Sequence, residues 1–113
     1  METENTQRIA EAHCAALKNA RYVSVVGYPD EADTVVVPSS YAGKPVKEIV
    51  GGAFHFCEGV RRVEIADSVQ YIRAGAFTDC EDLADVSIGK GVKRLEPYAF
   101  YDCARLEKIS SFH

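Results

Sequence analysis

Thiols are the residues most able to do chemistry in this 113-residue chain, and their spacing is unusual. Of four cysteines, Cys57, Cys80 and Cys103 lie 23 residues apart, while Cys14 stands alone near the start. Three readings compete for the regular set. Metal binding would need ligands converging at around 2.3 Å, which thiols stacked one above another do not supply. A disulfide between neighbours would demand specific geometry. The simplest reading is packing, with each cysteine a small buried hydrophobe. Cys14 is the best candidate for an exposed or reactive thiol.

Other chemistry is thinner. His13, His55 and His113 are far apart and lack H-E-x-x-H spacing. Ser39-Ser40 and Ser110-Ser111 lack a G-x-S-x-G setting. No phosphate-cradling glycine loop occurs, and Gly51-Gly52 and Gly89-Lys90-Gly91 read as turns. Glu58, Glu81 and Asp82 read as solvated loop carboxylates. The expectation is a non-enzymatic chain with no cofactor and no metal. A net charge of −4 with dispersed Lys and Arg argues against nucleic acid, and no polybasic stretch suits a membrane surface. No run approaches the ~18 apolar residues of a membrane span. Charges at Glu2, Glu4, Arg8, Glu11 and Lys18 rule out a signal peptide. If Met1 is the native start, the expected place is the cytoplasm.

The elements that must position these residues follow from the same period. Gly51–Cys57, Ala74–Cys80 and Pro97–Cys103 carry Ala and Phe at equal places. Val46, Val69 and Val92 precede them in phase, then Ile49, Ile72 and Leu95. Val60, Leu83 and Leu106 follow, then Val63, Val86 and Ile109. Each unit reads V-x-x-[IL]-x-x-x-A-F-x-x-C-x-x-[LV]-x-x-[VI]. A period of this length means a stacked repeat in which one unit cannot bury its own apolar face. The end of each unit alternates as a half-buried strand does. Stacked strands about 4.8 Å apart would place Phe54, Phe77 and Phe100 in one ladder.

These residues closely resemble the BspA-type leucine-rich repeat family, with its I-x-x-x-A-F-x-x-C-x-x-L-x-x-[VI]-x-[IL]-P unit. The resemblance covers roughly residues 35 to 110. The family's proline after the strand stands only at Pro38, with Ala66 and Gly89 at later equivalents. The resemblance implies an α/β fold: a short right-handed leucine-rich-repeat solenoid with parallel strands on its concave face. It also implies protein partners, and a bacterial or protist cell-surface setting if the chain is a fragment of a longer protein.

One domain, 1–113, is expected. Residues 1–45 read as an N-terminal cap and 46–113 as three 23-residue repeats. Within the cap, residues 6 to about 20 read as a helix with Ile9, His13, Ala16, Leu17 and Ala20 on one side. Tyr22–Val26 and Thr34–Pro38 read as two strands of a hairpin around a turn at Tyr28-Pro29-Asp30, and Ser39–Pro45 as a loop. Arg62, Glu64, Asp85, Ser87, Lys108 and Ser110 should line the concave face, either as cross-strand ion pairs or as a partner-binding surface. Tyr71, Tyr98 and Tyr101 should lie on the opposite, convex side. At the C-terminus, Ile109 and Phe112 form an open strand edge that invites a two-fold homodimer.

Overall fold

The computed structural model describes residues 8–16, 20–29 and 32–111. Among the described residues, eleven short strands form two sheets. The first sheet takes β1 (Ile9–Glu11), β4 (Thr34–Val37), β7 (Arg62–Ile65), β9 (Asp85–Ile88) and β11 (Lys108–Ser111), every pair parallel. The second takes β10 (Arg94–Leu95), β8 (Tyr71–Ile72), β6 (Lys44–Ile49) and β3 (Val23–Gly27), also parallel. It closes on β2 (His13–Ala15), antiparallel to β3. This is a β-solenoid.

The A-F-x-x-C segments make a third side, held coil to coil by main-chain bonds. Gly52, Phe54 and Phe56 donate to the carbonyls of Gly75, Ala76 and Thr78. Gly75, Phe77 and Asp79 donate in the same way to Tyr98, Ala99 and Tyr101. The segment turns sharply at two places per coil where φ is positive. One is Gly52, Gly75 and Tyr98; the other is Phe56, Asp79 and Asp102. Glycine is the residue that reaches this region freely, so Tyr98 holds a costly backbone where its counterparts do not.

Inside, like sits on like. Phe54 and Phe77 stack with centroids 4.5 Å apart, and Phe77 and Phe100 at 4.9 Å. Tyr28 extends the column, 5.7 Å from Phe54. Because Tyr28 lies 26 residues before Phe54 instead of 23, the period hides its membership. Val63 and Val86 pair in register beneath these rings, as do Ile49 and Ile72, all fully buried.

Among the described residues no helix forms, so the expected N-terminal helix and the α/β class are both corrected to an all-strand solenoid. The described part of residues 6–20 is extended, and the rest, including Leu17, lies outside the described residues. Ala10, Ala12 and Cys14 face inward, whereas Ile9 and His13, which a helix would have buried, are exposed. A short helix with an Ala-rich stripe gains little from packing. As strands, the same residues satisfy main-chain groups on β4 and β3 that the stack would otherwise leave bare.

The expected hairpin is corrected as well. Both strands form, but β3 belongs to the second sheet and β4 to the first, so they do not pair. Together they build an irregular leading coil, with Val23, Val25, Val35 and Val37 turned into the core. A hairpin would have left the ends of both sheets open. The stretch Ser39–Pro45 is not a plain loop. β5 (Ser40–Tyr41) pairs antiparallel with the start of β6 through a two-residue turn, Ala42-Gly43, both with positive φ.

Candidate partner-binding face

Strand pleating sends alternate residues of the first sheet outward, and register places them in columns. Thr34, Arg62, Asp85 and Lys108 form one column; Val36, Glu64, Ser87 and Ser110 form the next. The six residues expected to share a face therefore do share one. They are not equivalent. The Arg62 Nε donates to Glu64 Oε2 at 2.9 Å, and its Nη1 bonds Asp85 Oδ2. These carboxylates push the guanidinium's pKa further up, Glu64 contributing most through its hydrogen bond. Lys108, one coil further, is exposed and makes no ion pair among the described residues. Arg62, Glu64 and Ser87 border a shallow groove of about 430 Å³, also lined by the partly exposed Val36, Pro38 and Ala66. A clamped cation beside an apolar wall can hold an extended chain, with carboxylates in reach of its donors.

The second sheet carries a denser network that the sequence reading missed. Arg73 bonds Glu48 Oε2 at 2.6 Å and Glu96 Oε2 at 2.8 Å, so one guanidinium ties three successive coils. Ser24 Oγ donates to the other Glu48 oxygen at 2.8 Å. Arg73 also lies 4.6 Å from the centre of the Tyr71 ring. Glu96 accepts the Ala74 amide too, and Arg73 holds its carboxyl below the usual range. The available signal was opposite charge at the repeat interval, Arg73 to Glu96.

The thiols are mostly core. Cys57 and Cys80 are fully buried, and Cys103 is half-buried. Burial, first among several causes, lifts the Cys103 thiol to about 11. Cys80 is raised as well, by its hydrogen bond with Cys57 and by burial. Cys14 is half-buried, donates weakly to the Ala12 carbonyl, and is also raised, by burial and by Glu11. It therefore lacks the lowered pKa of an activated nucleophile. His55 is exposed and lies against the Phe56 ring, and His113 is outside the described residues. Among the described residues, no group of three or more His, Cys, Asp or Glu is placed to hold a metal ion.

The end of the stack is open among the described residues. Ile109 is 48% exposed and Leu95 46%, although Val86 and Ile72, their counterparts one coil earlier, are fully buried. The amides of Tyr98, Phe100 and Asp102 lack the coil-to-coil bonds that Gly75, Phe77 and Asp79 make. Phe112, the other residue expected at this edge, lies outside the described residues. Tyr98 and Tyr101 stand exposed on the third side in an edge-to-face pair, and Tyr71 is on the second sheet, so the three tyrosines share no one face.

No curated protein and no solved structure matches the chain. A family model described as BspA type leucine rich repeat region (6 copies) matches residues 34–112. That match takes in more than two thirds of the chain, from β4 through β11, and agrees with the stacked parallel coils. The chain belongs to the BspA-type leucine-rich repeat family.

Proposed function

We propose that this chain is a non-enzymatic protein-interaction module that binds its partner on the outer face of the first sheet. The observation that carries the reading is the column Arg62, Asp85, Lys108 beside Glu64, Ser87, Ser110, an ordered polar face on a rigid parallel stack. Rigid elements hold a recognition surface at little ordering cost. Membership of a repeat family whose members commonly bind proteins supports it. The partner is a protein presenting alternating charge to the Arg62 clamp and to Lys108, which makes no ion pair among the described residues.

Charge reversal tests this. Arg62→Glu with Lys108→Glu should abolish capture of the bound protein in affinity purification, with sedimentation and thermal unfolding close to wild type. Retained capture by a folded double variant would refute the assignment of this face.

A second reading is self-association through the last coil. The exposure of Leu95 and Ile109 favours it, as do the amides of Tyr98, Phe100 and Asp102, which make no main-chain bond among the described residues. Under that reading Ile109→Lys turns a sedimenting dimer into monomers while the charge reversal leaves it intact.

A further inference from the structure

The three ladder cysteines occupy equivalent places, yet their sulfurs meet different neighbours. Cys80 donates to the Phe54 carbonyl at 2.6 Å and Cys103 to the Phe77 carbonyl at 2.9 Å, each reaching back one coil. Cys57 instead faces another thiol, with its Sγ 2.7 Å from the Sγ of Cys80. Both sulfurs are sealed from solvent in the same core. A disulfide requires Cα atoms roughly 4.4–6.8 Å apart and side chains that point towards each other. Residues in register on adjacent coils are about 4.8 Å apart, inside that window. The thiol contact shows that the side chains converge.

We infer that Cys57 and Cys80 form an oxidisable pair that closes into a disulfide joining two successive coils. The oxidant is a small disulfide R–S–S–R. A local opening of the turn segment admits it, and one cysteine sulfur attacks it, releasing R–SH and leaving a mixed disulfide. The second cysteine sulfur then displaces the other R–SH. The chain gives up two thiol hydrogens and two electrons, and the oxidant leaves as two thiols. The raised pKa of Cys80 keeps it as thiol at neutral pH, so closure is slow and waits on opening. Once made, the bond is as buried as the thiols were. It ties together coils that otherwise separate on unfolding, so the oxidised chain melts at a higher temperature.

The experiment uses the full reduced chain, incubated under native conditions with oxidised glutathione, quenched in acid, then alkylated in denaturant. Expected are two alkylated cysteines in place of four, an intact mass short by two hydrogens, and a non-reduced peptide joining Cys57 to Cys80. The melting midpoint should rise and return on adding reductant. Cys103→Ser should form the same cross-link and Cys80→Ser should not form it. Four alkylated thiols would overturn the inference. So would a persistent glutathione adduct, or a cross-link in wild type that excludes Cys57 or Cys80.

Discussion

The middle coil, with β8 and β9, and the last coil, with β10 and β11, share one sequence pattern and have different fates. Ile72, Phe77, Cys80, Leu83 and Val86 are fully buried. Their counterparts Leu95, Phe100, Cys103, Leu106 and Ile109 are exposed or half-buried. The residue types hardly differ, so the difference comes from neighbours. A coil in a stack owes its core to the coil on either side, and the last described coil has one such neighbour. In a solenoid the stabilising quantity is the contact between units, and the sequence of one unit gives only half of it.

The largest test of this comparison removes one ring at a time. Phe77 is stacked on both faces, at 4.5 and 4.9 Å, and Phe100 on one. Phe77→Ala should cost about 3–5 kcal/mol of unfolding free energy in a urea titration, a large part of a small domain's stability. Phe100→Ala should cost about 1–2 kcal/mol, since part of that ring is already in water. If Phe77→Ala fails to fold, Phe77→Leu against Phe100→Leu keeps the same order at smaller size. Equal losses at the two positions would mean that neighbours do not set the value of the site.

Sequence revealed the stack where apolar residues carry it and failed where edges decide. The Ala-Phe-Cys signature at 23-residue intervals is enough to imply the aromatic column. The helix expected over residues 6 to about 20 fails within 8–16 because that stretch fits two periods at once. Ile9, His13 and Ala16 line up on a helix, while Ala10, Ala12 and Cys14 alternate as in a strand. The strand wins because β3 and β4 present unpaired edges, which no local pattern displays. The outward columns of the first sheet were legible from alternation alone. The Arg73 network was not, because Glu48, Arg73 and Glu96 meet across three coils and carry no apolar period.

That network offers the polar form of the same comparison. Arg73 in the middle coil has a carboxylate on each side, whereas among the described residues Arg94 in the last coil reaches only Glu96, at 4.0 Å. Glu96 has a lowered pKa in the folded chain, so its pairing contributes stability above the ordinary carboxylate pKa of about 4.3. The contribution fades as pH falls through the lower folded value. Arg73→Gln should flatten the acid limb of a plot of melting temperature against pH, with a modest loss near neutrality. Arg94→Gln should leave that limb nearly unchanged. Both groups are partly exposed, so added salt should shrink the difference between the variants. A wild-type acid limb that persists in Arg73→Gln would place the titrating carboxylate elsewhere.

The smallest effect carries the opposite sign. At the first left-handed position of the turn, the earlier coils use Gly52 and Gly75, with φ of 78° and 74°. The last coil uses Tyr98 at 65°, a residue 72% exposed. A side chain in this region costs about 1–2 kcal/mol, and glycine gives back about 0.5–1 kcal/mol through its freer unfolded chain. The edge-to-face contact with Tyr101 is also lost, though in water it is worth little. Tyr98→Gly should therefore raise stability by roughly 0.5 kcal/mol. The reverse change in the middle coil should not be its mirror image. A Cβ at Gly75 would lie 3.3 Å from Thr78 Oγ1, and Gly75 donates to the next coil. Gly75→Ala should cost about 1–2 kcal/mol, more than Tyr98→Gly gains. The asymmetry follows from the neighbour: a strained turn in the last described coil has a described ladder on one side, while the same strain in the middle is passed to the coils on both sides.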